Sequence, residues 1–341
     1  MRAVQLVEWQ AEPELRDVPV PEPGPGEVLL KITAAGLCHS DLHIMEWPDG
    51  TLPWSVPFTL GHEAAGTVAA LGRGVGGLEI GKPVVVCASW GCGMCRNCRR
   101  GYENRCVERP ERPGGGIGLD GALAEYLLVP SPRLLVSSEG LDPAVAAPLT
   151  DAALTPYHAI KVSLPLLTPG STTVVIGVGG LGHTAVQILR ALTPTRIVAI
   201  DARESAVALA LAAGADEAHV SSDVDPTALR ASIGRYGATL VLDFVGVDQT
   251  LQLAASLLGS GGRLTLIGLG GGTFPMASGL PLEWSVNRIS NGTVPELEEV
   301  VELARRGDIS LEVERIGLEE VIATYDRLRE GSVVGRAVAI P

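Results

Sequence analysis

The chain of 341 residues has no stretch of uncharged apolar residues reaching the about 18 that a membrane-crossing helix needs. Its N-terminus, "MRAVQLVEWQAEPE", meets acidic residues too early for a secretory signal. A cytoplasmic protein without a membrane partner is therefore expected. Positive charge is scarce as well: 26 Lys and Arg against 39 Asp and Glu leave a net charge of −13. A nucleic-acid backbone is bound by clustered cations that release its counterions, so nucleic acid is not an expected partner. Charged residues make up 19% and hydrophobic ones 46%, a balance that excludes a disordered chain and favours a globular one. No internal repeat of about 20 to 50 residues is present. The length exceeds what one ordinary core fills, so two domains are expected.

Cysteine is scarce too, with six residues, and unevenly placed. Five fall between Cys87 and Cys106, in "CASWGCGMCRNCRRGYENRC". Cys92, Cys95, Cys98 and Cys106 read C-x2-C-x2-C-x7-C, with Gly91, Gly93 and Gly101 beside them. Four thiolates at this spacing close a tetrahedron around one ion, and the glycines let the backbone turn sharply enough to aim them inward. A structural zinc is the direct reading. An iron–sulfur cluster and plain buried thiols are the alternatives. Cys87, in the strand-like "PVVVCAS", reads as a packing residue.

The sixth cysteine, Cys38, stands in "AAGLCHSDLH", and His62 and Glu63 follow in "LGHEAAG". One thiol, one imidazole and nearby carboxylates make an incomplete set for a closed site. They suit a catalytic zinc that keeps a position for substrate, provided a third ligand exists.

Further on, "TTVVIGVGGLGHTAVQILRAL" joins a buried β-branched strand to a helix through Gly177, Gly179 and Gly182, a G-x-G-x-x-G turn. Asp201 closes the next strand, "RIVAI", 19 residues after Gly182. That is where a carboxylate meets an adenosine ribose and repels a 2′-phosphate, so NAD is expected over NADP, with Arg203 softening the preference. The strands "EAHV", "ATLVLDFV" and "GGRLTLIG", interleaved with helices, extend this to a parallel sheet of about six strands over residues 154–290.

Taken in order, "GLCHSDLH", "GHE", the four-cysteine lobe, "APLTDAALTPYHAI" and "GVGGLG" with its downstream Asp resemble the zinc-dependent medium-chain alcohol dehydrogenases. In detail they resemble the bacterial NAD-dependent secondary-alcohol dehydrogenases and carbonyl reductases. The resemblance implies an α/β fold in two parts. Residues 1–153 and 291–341 would form a GroES-like β-rich catalytic domain with a zinc lobe, and 154–290 a Rossmann NAD-binding domain. It implies NAD(H) and two zinc ions per subunit. It also implies that Asp151 is the third catalytic ligand beside Cys38 and His62, where cysteine is the commoner residue; a helix N-cap is the plain alternative for Asp151.

By the same resemblance, Ser40 bonds the substrate hydroxyl and His43 takes its proton by way of the cofactor ribose. Asp41 orients the His62 imidazole, and Glu63 lies near the zinc. Gly180 and Leu181 complete the pyrophosphate turn, while His39 and Arg336 stand where relatives carry bases that touch pyrophosphate. Trp54, Leu119 and Trp284 match positions that line the substrate cavity, and apolar walls there suit a hydrophobic ketone. His158, His183 and His219 read as structural. Polyol and threonine dehydrogenases of the same family are the closest rivals, and zinc-free quinone reductases leave Cys38, His62 and Asp151 unexplained. A non-catalytic redox sensor is the rival from another class. The expected partners are a small alcohol or ketone and further copies of the chain, a homotetramer rather than a homodimer, with "RLTLIGLGGGTFPM" at the interface.

Overall fold

The computed structural model describes residues 1–109, 111, 114–275 and 279–341. It divides into two compact units, Met1–Leu154 with Asn291–Pro341, and Thr155–Ser290.

The first unit is built around the strand Val28–Gly36, whose apolar residues are buried almost without interruption. Antiparallel to it run Glu63–Leu71 on one side and, on the other, Tyr126–Val129 along its first half and Arg336–Ile340 at its end. The sheet of seven strands is completed by Pro83–Val86, Leu135–Ser137 and Val313–Gly317. Leu30, Ile32, Leu37, Met45, Leu60, Leu123 and Tyr325 belong to one buried cluster, and removal of their apolar surface from water holds the sheet in place.

The register decides where chemistry collects. Gly36 is opposite Glu63, and Val338 is opposite Gly36. The end of one strand and the starts of two others therefore meet at one end of the central strands. Cys38 lies just past the first, His62 just before the second, and Arg336 opens the third.

A helix at Pro143–Pro148, capped by Asp142 accepting the Ala144 N–H at 3.0 Å, runs into a π-helical turn at Leu149–Ala153 and then the helix Leu154–Lys161. Asp151 thus sits inside a helical run, and the N-cap belongs to Asp142.

The second unit is a parallel sheet of six strands in the order Glu217–Val220, Arg196–Asp201, Thr172–Ile176, Ala238–Asp243, Leu258–Leu266, Ser285–Arg288. This is the doubly wound dinucleotide-binding order, with its reversal point beside Thr172–Ile176. All five residues of that strand are buried, as a strand covered on both faces requires. Arg263–Leu266 is paired on both sides, so the edge strands of this sheet are Glu217–Val220 and Ser285–Arg288; Met276, the last residue of the stretch expected at an interface, lies outside the described residues. Among the described residues no helix is long and apolar enough to cross a membrane.

Candidate active site and metal centres

Cys38 caps the helix His39–Glu46, so Ser40, Asp41 and His43 lie on its first turns. Asp41 is fully buried and serves two neighbours: one oxygen accepts the Cys38 backbone N–H at 2.9 Å, the other lies 3.1 Å from His62 Nδ1. The carboxylate therefore fixes both the start of the helix and the tautomer that leaves Nε2 free to bind a metal. Asp151 Oδ2 lies 3.6 Å from Cys38 Sγ and 3.7 Å from His62 Nε2. Ligand bonds of about 2.0–2.3 Å at tetrahedral angles separate such atoms by roughly 3.3–3.5 Å, so the three donors fit one zinc ion. Glu63 belongs to the same cluster, whose ligand atoms all fall within 4.8 Å of one another.

Burial by itself would depress the His62 imidazole, but the Asp41 and Asp151 carboxylates raise it well above its usual value. Proton and metal accordingly compete for this ring. Burial raises Glu63 to about 7, opposed by the Arg336 guanidinium. That guanidinium, expected to face pyrophosphate, is itself buried: it pairs with Glu63, and its Nη2 lies 3.4 Å from Asp151 Oδ2. Ser40 Oγ is 3.6 Å from Cys38 Sγ. His43 is half-buried one turn on, and His39 is exposed.

In the lobe, Cys92 Sγ and Cys95 Sγ lie 3.9 and 3.5 Å from Cys98 Sγ. Zinc–sulfur bonds of about 2.3 Å in a tetrahedron set sulfurs about 3.8 Å apart, which these spacings match. Backbone N–H groups point at the sulfurs: Cys95 N is 3.2 Å from Cys92 Sγ, and Cys98 N is 3.5 Å from Cys95 Sγ. Such bonds lower the Cys92 thiol and bring Cys95 down to about 6, while burial raises Cys98 to about 12. Arg133 holds the lobe by pairing with Glu103 and donating to the Gly91 carbonyl at 2.7 Å. Cys87 is fully buried outside the cluster, its thiol pushed up to about 12.

In the second unit the glycine turn has the shape of a pyrophosphate cradle. Gly177 has φ of +85°, and a Cβ on Gly182 would lie 1.9 Å from the Gly177 carbonyl oxygen. A Cβ on Gly179 would meet only Arg203 Nη2, at 3.9 Å, so space is open above that backbone. Gly180 and Leu181 are half-buried and lead into the helix Gly182–Leu192, whose N-terminus favours an anion. Asp201 Oδ2 accepts the Val178 N–H at 2.7 Å, and its other oxygen takes the Arg203 N–H at 3.0 Å.

The Trp54 ring lies 2.6 Å from where a Cβ of Gly118 would stand, and Leu119, next along the chain, is 39% exposed. Trp284 packs on Phe274 with ring centroids 5.2 Å apart in the second unit. His158 and His183 are buried, and His219 is paired with Glu217.

Two family models match the chain, the alcohol dehydrogenase GroES-like domain over residues 24–139 and the zinc-binding dehydrogenase over 180–306. The chain belongs to the zinc-dependent medium-chain alcohol dehydrogenases. It is an oxidoreductase, a zinc-containing alcohol dehydrogenase linked to a nicotinamide dinucleotide. It is 36% identical to the NAD-dependent alcohol dehydrogenase of Sulfurisphaera tokodaii, with all of each chain covered. It is 33% identical to the D-arabinose 1-dehydrogenase (NADP(+)) of Saccharolobus solfataricus, covering all of this chain and 97% of that one. The structure of acetophenone reductase from Geotrichum candidum in complex with NAD superposes with a TM-score of 0.87 at 32% identity, over 100% of this chain and 97% of that one.

Sequence reasoning did not reach the pairing of Arg336 with Glu63, the π-helical turn under Asp151, or the contact of Asn291 with that turn. The first two leave no local signal. Asn291 stands just ahead of a Gly-Thr helix start, which hints at a special backbone.

Proposed function

We propose that the protein interconverts hydrophobic secondary alcohols and the corresponding aryl or aliphatic ketones with NAD(H), using two zinc ions per subunit. Cys38, His62 and Asp151 would hold the catalytic zinc, and Cys92, Cys95, Cys98 and Cys106 the structural one. The observation that carries the reading is the open mixed donor set with the Ser40 hydroxyl beside it. A closed structural site has no use for such a hydroxyl, and a redox sensor needs no proton route.

Zinc supplies Lewis acidity at the substrate oxygen, and the nicotinamide supplies or accepts a hydride at the adjacent carbon. The rest falls to the chain. Ser40 Oγ bonds the substrate oxygen and accepts its proton in oxidation, since a hydroxyl both accepts and donates. His43, three residues along the same helix, carries that proton towards water. Asp41 keeps His62 in its metal-binding tautomer. Gly177, Gly179, Gly180, Leu181 and Gly182 receive pyrophosphate, the resemblance assigns His39 to the same anion, and Asp201 bonds the ribose and disfavours a 2′-phosphate. Arg336 acts through Glu63, balancing its charge against Asp151.

Trp54 and Leu119 support an apolar substrate wall, in keeping with the similarity to acetophenone reductase; the similarity to an arabinose dehydrogenase favours a polyol as the second reading. We further propose a cytoplasmic homo-oligomer, a tetramer rather than a dimer. The test follows NADH oxidation with acetophenone, 2-octanone, a primary aldehyde, a ketose and a quinone, repeated with NADPH. Rapid NADH-dependent turnover of the two hydrophobic ketones is expected. Turnover of the ketose alone, or silence across the panel with two zinc ions bound, overturns the substrate class.

A further inference from the structure

Asn291 is one of three non-glycine residues with positive φ among those described, at +52°. Asparagine is among the few residues that adopt this backbone as single residues. It is also where the chain re-enters the first unit, just before Thr293 caps the helix Val294–Arg305. A turn needs nothing more of the side chain than tolerance. The Asn291 side chain nevertheless makes two directed bonds: its Nδ2 donates to the Thr150 carbonyl at 3.2 Å, and its Oδ1 accepts from Ser89 Oγ at 3.1 Å. Cys87 Sγ lies 4.0 Å from the same oxygen. The amide orientation is fixed by its partners, because exchanging the two ends would set oxygen against a carbonyl.

The Thr150 carbonyl belongs to the peptide plane that joins Thr150 to Asp151. This plane lies within the π-helical turn Leu149–Ala153, where the regular helical bonding pattern is displaced by one residue. Holding that carbonyl fixes the plane from which the Asp151 side chain departs, and so the direction in which its carboxylate reaches Cys38 and His62. Ser89, the other partner, lies three residues before Cys92.

We infer that Asn291 is a positioning residue for the catalytic metal: it ties the Thr150–Asp151 peptide to the Ser89 segment and holds Asp151 in its ligating direction. The inference rests on the reading of Asp151 as a zinc ligand. Groups that hydrogen-bond a metal ligand govern the metal's affinity by about 10–100-fold, and Asn291, acting through the backbone beside its ligand, belongs at the lower end of that range.

The experiment measures zinc release from the purified full chain to a colorimetric chelator, together with the melting temperature, for the wild type and Asn291→Gly, Asn291→Asp, Ser89→Ala and Asp151→Ala. Asn291→Gly keeps the backbone freedom and deletes the amide. Asn291→Asp keeps the shape but turns an acceptor towards the Thr150 carbonyl. Asp151→Ala is expected to abolish the faster-released zinc; if it leaves both ions bound, the ligand reading itself fails. Once Asp151→Ala has identified that ion, Asn291→Gly and Ser89→Ala, which keep Asp151, are expected to release the faster zinc about tenfold sooner, with the slower phase unchanged. Asn291→Asp is expected to do so at least as strongly. Unchanged fast phases in Asn291→Gly and Ser89→Ala overturn the inference. So does an equal acceleration of both phases with a falling melting temperature, which marks general loosening. If Asn291→Asp does not fold, the other two variants decide.

Discussion

An added Cβ meets very different surroundings at two glycines of the same turn. At Gly182 it would lie 1.9 Å from the Gly177 carbonyl oxygen, whereas at Gly179 it would meet only the tip of Arg203 at 3.9 Å. The first glycine lets helix and strand approach each other; the second leaves room for a ligand. Gly182→Ala is therefore expected to cost about 1–3 kcal/mol of stability, because backbone must move, and to weaken NADH binding. Gly179→Ala is expected to leave the melting temperature within about 1 °C while weakening NADH by tenfold or more, since the methyl fills space that the pyrophosphate needs. Calorimetric melting and fluorescence titration of NADH separate the two effects, and equal loss of stability in both variants would refute the division. The glycines were legible in the sequence because a tight turn is local, fixed by a few neighbouring residues. The Arg336–Glu63 pair was not, because its members are 273 residues apart and meet only through sheet register. A basic residue near the C-terminus is visible in the sequence; the carboxylate that takes it is not.

At the scale of elements, the two metal sites differ in how their donors are held. The four cysteines occupy one short segment, and N–H···S bonds within it favour the thiolates of Cys92 and Cys95. That arrangement is why their spacing alone announced them. Cys38, His62 and Asp151 come from three separate elements and converge through the pairing of Gly36 with Glu63 and through a π-helical turn. Neither register nor an inserted helical residue shows in the hydrophobic period, so Asp151 was reachable by resemblance alone. The mixed set is also chemically harder than four thiolates, and its imidazole holds a proton against the metal. Mild chelation is expected to remove one zinc first, abolishing activity with little change in melting temperature. Removal of the second is expected to lower the melting temperature. Metal analysis along the chelation course, read against activity and melting, checks the order; simultaneous loss of both ions would contradict it.

At the scale of the whole molecule, the alternation of strands and helices carried the six-stranded sheet, yet it did not say which strand lies at its edge. Of the stretch 263–276 expected at an interface, residues 263–266 are paired on both sides, and the sheet's open edges are Glu217–Val220 and Ser285–Arg288. Strand order follows from crossovers that leave no mark in composition. An open edge is a row of unpaired backbone groups, and proteins cover such rows or charge them. Here Val286 is 49% exposed and Leu282, shortly before it, 79%. Apolar exposure beside an open edge suits pairing with the same edge of a second copy, in which two-fold symmetry places each strand against its twin. A net charge of −13 opposes indiscriminate association, so the contact has to be a specific one. Light scattering at micromolar concentration is expected to give a mass of four chains. Val286→Lys is expected to lower that mass, because the lysine places like charges opposite each other across the two-fold axis. A monomeric wild type would remove the need for any partner at this edge, and an unchanged mass in Val286→Lys would move the contact to another surface.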